Sequence, residues 1–412
     1  MRPCPPWRAS GSGIGNLRVM VGKLFLNTKI NATFLTMKNK RKKPLFFIKL
    51  ASGVFLVTAV LVIVVVYAGN RVQFNKFSEM AAEPPPKPKP KLDTLAYDLK
   101  MYEIAHVATS SLIISPSAGH VWFATTTAGT ASSTPRHIKV PLWPVRATYP
   151  NYGALLPFNR IVAFYGNFYS TQMGILGEFP EAEVLAKLQA QAAAWFAADP
   201  DTPVIPAIEY IAVTAQASSH GGTYRSRMPD SEIQKAVDMA AKIKGIVILD
   251  VQDGKSTLAD ELPPLGPFLK LPQVHLAIDP EFSMKDGRRP GTVIGTMDAG
   301  DVNYAANFLA GIVKANDIPP KILIVHRFTD AMVTGYKDIK PLPEVQIVMD
   351  MDGWGPPSLK IKTYREEIYN EPVQFAGFKL FYKNDLRGPY GRLMTPSEVL
   401  KLTPAPSFIM YQ

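Results

Sequence analysis

The sequence predicts an α/β protein whose main body is a closed (β/α)8 barrel, and three observations carry that expectation. From residue 160 onward, short β-branched runs alternate with helical segments, as parallel α/β structure requires. The runs number eight, and they fill about the 250 residues that such a barrel takes. Ahead of them lie a long uncharged apolar stretch and a proline-rich stretch, which separate the body from an amino-terminal segment of different composition. An open doubly wound sheet is the alternative arrangement of the same elements.

The chain has 412 residues and a formal net charge of +11. That charge is not spread evenly. Eleven basic residues precede Leu50, and the first acidic residue is Glu79. From Leu92 onward there are 29 basic and 32 acidic residues, so the part long enough to fold is slightly acidic and no nucleic-acid partner is expected. Cys4 is the single cysteine, which excludes an intramolecular disulfide and a cysteine-built zinc site.

Residues 51–68, ASGVFLVTAVLVIVVVYA, carry no charge and come close to the roughly 20 residues that cross a bilayer as a helix. The basic run KNKRKK at 38–43 precedes them and only Arg71 follows closely, so the amino end is expected in the cytoplasm and the carboxy-terminal body outside the cell membrane. A cleaved signal peptide is the rival reading, but the apolar run exceeds a signal core and no small-x-small cleavage site ends it. Translation is expected to start at Met37, because MKNKRKKPLFF opens a positive-then-apolar segment unlike residues 1–36. The expected organisation is therefore a basic cytoplasmic segment at 1–43, a transmembrane anchor at 44–69, a linker at 70–141 and the barrel at 142–412. PPPKPKPK at 84–91 stiffens that linker as polyproline, residues 94–108 form one short helix within it, and TTTAGTASSTP at 125–135 reads as tether.

The strands are expected at 161–165, 204–210, 246–251, 274–279, 322–326, 346–351, 375–381 and 407–411. Helices are expected at 181–198, 230–242, 257–269, 298–315 and 358–369. Side chains alternate faces along a strand. In the fourth strand Val274, Leu276 and Ile278 form the bulky set that meets helices, which turns His275, Ala277 and Asp279 inward, with Glu281 continuing the set at the mouth. The same parity turns inward Tyr165 and Asn167, Glu209, Asp250 and Gln252, His326, Asp350 and Asp352, and Lys379. Polar groups thus converge at the carboxy-terminal strand ends, the face where barrel enzymes keep their chemistry. Six carboxylates around one mouth repel one another unless cations, shared protons or a ligand relieve them. The last strand ends at the terminus, so the terminal carboxylate is expected near the mouth, and residues 212–229 are expected to form a lid.

Two carboxylates at i and i+2, in Ile278-Asp279-Pro280-Glu281, resemble the Asp-x-Glu ending of the chitinase-like glycoside hydrolases. The resemblance implies that Glu281 protonates a glycosidic oxygen and that Asp279 supports it. It departs from the family at Ala277, where those enzymes carry a further Asp, so it does not imply substrate-assisted retention. Glycoside cleavage also needs a second carboxylate, for which Asp350, Asp352 and Asp250 are candidates. Tyr165, Tyr169, Phe282, Trp354, Phe381 and Tyr382 offer surfaces for sugar stacking. Lys379 could form a Schiff base, but acids around it would stabilise the ammonium and favour ion pairing. A metal site built from His275, His326, Asp250 and Asp350 is a third choice, since neither His-x-His nor HExxH occurs. No cofactor is expected.

From about Leu142 the chain also resembles a family of bacterial membrane-anchored, extracytoplasmic proteins without an established activity. VAFYGNFYSTQMGILGEFP, ILDVQDGKST, HLAIDPEFSM, ILIVHRFT, IVMDMDGWG, GFKLFYKND, LMTPSEVL and the terminal MYQ carry that resemblance. The expectation is a glycoside hydrolase acting on a cell-envelope or extracellular polysaccharide; the alternative is a non-catalytic carbohydrate-binding or envelope scaffolding barrel.

Overall fold

The computed structural model describes residues 90–107, 112–115, 120–123, 141–219 and 221–412. The basic segment, the expected anchor at 44–69 and most of the proline-rich stretch lie outside these residues. No helix among the described residues is long and apolar enough to cross a membrane.

Eight parallel strands form the barrel: β1 (Arg160–Gly166), β2 (Val204–Ala215), β3 (Ile246–Val251), β4 (Val274–Ile278), β5 (Lys321–Arg327), β6 (Val345–Met351), β7 (Phe375–Leu380) and β8 (Phe408–Tyr411). Each pairs with its neighbour in sequence, and β8 pairs back onto β1 with Phe408 opposite Ile161. That last pairing closes the sheet and excludes the open doubly wound alternative. Helices α1 (Glu181–Ala198), α2 (Asp230–Lys242), α3 (Leu258–Leu269) and α4 (Ala299–Asn316) make the first four of the described crossovers that carry full-length helices. Residues Thr257 and Asp298, expected as first helical residues, are instead the N-caps of α3 and α4, each accepting a backbone N–H three residues on. After β6 the helix α5 (Pro357–Tyr364) continues as one π turn (Arg365–Tyr369). The crossovers after β5 and β7 use only short helical turns.

The period-2 alternation predicts the two faces of the sheet correctly. Val162, Phe164, Val247, Leu249, Leu276, Ile278, Leu323 and Val325 pack outward against the helices. Ile161, Ala163, Ala207, Ile248, Ala277, Ile324, Val348 and Met410 fill the barrel axis. The helix expected within the linker spans Thr94–Ile104 and belongs to the same compact unit as the barrel. Its Tyr97, Met101 and Ile104 join the axial cluster beside Leu156, Ile161, Ile246, Ile322 and Phe375, the residues at the amino-terminal strand ends. The ring of Tyr97 meets Tyr149 and Phe158 edge-on, at 5.5 and 6.2 Å. Gln346 secures the same end, accepting from the Leu156 N–H at 3.1 Å and donating to its carbonyl at 2.6 Å. With that end plugged, the carboxy-terminal end is the one left for a cavity.

Candidate active site

A cavity of about 660 Å³ opens at the carboxy-terminal end of the strands. Tyr165, Asn167, Gln252, Asp279, Glu281, Asp352, Trp354, Lys379 and Tyr382, all expected site residues, line it. Local hydrogen bonds set several of them in place. Asp279 caps the turn Pro280–Phe282 by accepting the Glu281 N–H at 3.0 Å, which fixes where Glu281 leaves the strand. The Glu281 carbonyl accepts from Gly295, where a Cβ would come within 2.5 Å of the Pro280 and Ser283 carbonyls, so only glycine permits that approach. Asn167 accepts from the Tyr169 N–H and donates to the Ile211 carbonyl, joining the ends of β1 and β2. Gln252 donates to the Tyr165 hydroxyl at 3.1 Å and accepts the Ala215 N–H.

Glu209, Asp250, His326 and Asp350 are not cavity residues. They lie inside the barrel with no solvent exposure, and this corrects the expectation that they meet substrate. Strand alternation assigns them the inward face correctly but does not give their depth along the axis, which depends on how far each strand extends beyond its neighbours. His326 is the centre of this group. Its Nε2 lies 3.2 Å from Glu209 Oε1 and 3.8 Å from Asp250 Oδ1, and its Nδ1 lies 3.3 Å from Asp350 Oδ2 and 3.5 Å from Asp352 Oδ2. Asp350 has room there because its neighbour in register, Gly377, lacks a side chain; a Cβ would come within 2.5 Å of Oδ1.

Burial raises acids of both levels. Burial raises Glu281 well above the usual carboxylate range, and the charges of Asp279 and Asp352 push it the same way. Burial lifts Asp279 to about 7 and Asp250 to about 6. The carboxylates around His326 hold the imidazole well above its ordinary value despite burial. Lys379 stays a cation as the sequence suggests: its Nζ lies 3.8 Å from Asp352 and 4.1 Å from the centre of the Tyr165 ring, and the surrounding acids raise its pKa. That environment removes the free amine a Schiff base needs.

Among the aromatic candidates that line the cavity, Tyr169 is 62% exposed, Phe282 and Trp354 are half-buried and Phe381 is buried. Tyr382 is half committed elsewhere, stacked on Tyr411 at 5.2 Å. Gln412 lines the cavity and its carbonyl accepts from the Tyr382 N–H. The expected lid is a built wall instead: β2 runs on to Ala215, and Arg225–Arg227 pairs back against it. Arg225 and Arg227 both bind Glu261 of α3 at 2.7 Å, an ion-pair clamp that sequence reasoning missed because nothing local links residues 36 apart. His275 is also set apart from the acids, accepting the Ile322 N–H nearer the plugged end.

No protein-family model matches the chain, and no curated protein matches it. Among solved structures it is similar to the cellulase Cel5C_n, at 18% identity over 57% of this chain and 69% of that one, with a TM-score of 0.34. It is similar to a GH5 family lichenase from Caldicellulosiruptor sp. F32, at 9% identity over 67% and 90% of the two chains and a TM-score of 0.35. A GH18 chitinase from Pseudoalteromonas aurantia matches at 11% identity over 61% and 93%, with a TM-score of 0.33. Superpositions this loose add nothing to the strand pairing, which by itself defines the chain as a TIM-type α/β barrel with an acidic cavity at its carboxy-terminal face.

Proposed function

We propose that the barrel is a glycoside hydrolase acting on a cell-envelope or extracellular polysaccharide, with Glu281 as general acid. The observation that carries this reading is that two carboxyl groups, Glu281 and Asp352, line one cavity, where burial and the charge of Asp279 raise Glu281 well above the usual carboxylate range and burial raises Asp352 as well. Asp352 takes the base or nucleophile role in this reading, and Asp350, withdrawn from the cavity, does not. Tyr169, Phe282 and Trp354 supply stacking surface for sugar rings, and Lys379, Asn167, Gln252 and Tyr382 supply polar contacts.

The apolar run at 51–68 behind KNKRKK supports a single-pass anchor with the barrel on the outer side of the cell membrane. An envelope polymer is the substrate class within reach of such an anchored domain.

The test is incubation of the full chain, in detergent, with peptidoglycan and a panel of envelope and extracellular polysaccharides, scored by new reducing ends. Glu281→Gln is expected to lower release by about 10²–10⁴-fold, the usual contribution of a positioned acid. Release undiminished in that variant removes Glu281 from the role, and binding without release identifies a non-catalytic binding barrel.

A further inference from the structure

We propose that Glu209, Asp250 and His326 bind one divalent transition-metal ion beneath the cavity floor. The three ligands do not line the cavity, although Tyr165 and Asp352 of its lining touch Asp250 and His326, and the proposal does not rest on hydrolase activity. It changes the ligand set of the metal site that the missing histidine motifs made only a third choice, replacing His275 and Asp350 by Glu209: the three ligands come from β2, β3 and β5 and leave no local motif.

The geometry suits an ion. One atom from each residue lies within 4.8 Å of the other two. His326 Nε2 is 3.2 Å from Glu209 Oε1 and 3.8 Å from Asp250 Oδ1. Two atoms bound about 2.1 Å from an ion at the tetrahedral angle lie about 3.4 Å apart, between those two separations.

The surroundings suit it as well. Asp250 Oδ2 accepts the Tyr165 hydroxyl at 2.9 Å, while Oδ1, turned toward His326, has no hydrogen-bond partner. Glu209 Oε2 has none either, although the residue is fully buried. Leaving such carboxylate oxygens unpaired is costly, and an ion is the partner that satisfies several at once. On the far side of the ring, Asp350 Oδ2 lies 3.3 Å from Nδ1. The two make no hydrogen bond as placed, but the charge of a carboxylate there favours a proton on Nδ1 and leaves Nε2 as the ligand nitrogen, the second layer metal-binding histidines usually have.

Charge leads to the same conclusion. Four buried carboxylates, Glu209, Asp250, Asp350 and Asp352, surround one imidazole, and Lys379 is the ammonium paired with them, at Asp352. A metal-bound imidazole is neutral, so a divalent ion with the Lys379 ammonium offsets three of the four charges of the ionised carboxylates, against two for an imidazolium with the ammonium. One imidazole with two carboxylates is a mixed N/O set that suits manganese, iron or zinc rather than calcium.

The experiment uses the full chain in detergent, stripped with a chelator and titrated with Mn²⁺ by calorimetry, with the bound ion read by electron spin-echo spectroscopy. The expected result is one ion per chain, nitrogen modulation from a single imidazole, displacement by Zn²⁺, and affinity at least about tenfold weaker in Glu209→Gln and Asp250→Asn. Glu281→Gln is expected to bind as the parent does, which separates this result from the fate of the hydrolase reading. Absence of saturable binding, binding without nitrogen modulation, or equal affinity in Glu209→Gln would overturn the proposal. The nitrogen signal is read on the unaltered chain, so poor folding of a variant does not blunt the test.

Discussion

Lys360 and Asp385 form an ion pair withdrawn entirely from solvent, with Nζ 3.0 Å from Oδ2, and the pair joins two walls of the cavity. Lys360 donates to the carbonyls of Gly353, at 2.9 Å, and Lys379, at 2.7 Å. Asp385 accepts the N–H groups of Gly355 and Phe381, each at 3.0 Å. The loop that carries Trp354 and the strand end that carries Lys379 are thereby held in one place. Asp385→Ala leaves a buried ammonium unpaired and is expected to cost about 3–5 kcal/mol in urea unfolding. Replacing both partners by apolar residues of similar size is expected to cost less than that single change.

Asp253 is a second buried acid, with its Oδ2 accepting the Ser283 hydroxyl at 3.2 Å and its Oδ1 unpartnered. Burial pushes it up to about 8, with the charge of Asp301 adding to the shift. Between the unfolded value near 3.9 and about 8 the folded chain therefore binds more protons than the unfolded chain, so this group lowers stability progressively as pH rises through that window. Asp253→Asn is expected to raise the unfolding free energy at pH 8.5 by about 1–3 kcal/mol, the usual scale for an uncompensated buried polar group, and to change it little near pH 4. Thermal midpoints of both chains across that range provide the measurement.

If Glu281 is the general acid, activity falls on the alkaline side as its carboxyl loses the proton. The neighbouring charge of Asp279 helps keep that proton on. Asp279→Asn retains the oxygen that caps the Glu281 N–H but removes the charge, so the alkaline limb of kcat/KM is expected to move to lower pH. An alkaline limb that stays in place would show that another group controls it.

The helix Thr94–Ile104 also makes a prediction about where the folded body starts. Tyr97, Met101 and Ile104 are buried against the axial core, each worth about 1.5–3 kcal/mol by apolar transfer. A fragment starting at residue 90 is expected to unfold cooperatively at a temperature well above that of a fragment starting at residue 142, compared by calorimetry.

Much of the barrel is legible in the sequence because its cause is local. Val247, Leu249 and Val251, and Val274, Leu276 and Ile278, recur at every second position, so those strands and their inward and outward sets follow directly. Glu181–Ala198 and Asp230–Lys242 are helices with the expected bounds, each starting after a proline and carrying acids in the first turn. The inward parity of Asp279, Glu281, Asp352 and Lys379 follows from the same alternation, and all four line the cavity.

What the tertiary structure alone decided is depth and partnership. Asp350 on β6 and Asp352 just past its end lie on one side by the same alternation and both approach His326, yet the first is sealed and the second reaches the cavity. The stagger between neighbouring strands, which no single strand encodes, makes that difference. Glu209, Asp250 and His326 meet through β2, β3 and β5, and Arg225 and Arg227 find Glu261 on α3, because closure of the sheet brings distant segments together. Local pattern determined which way each side chain points; only the closed barrel decided what it meets.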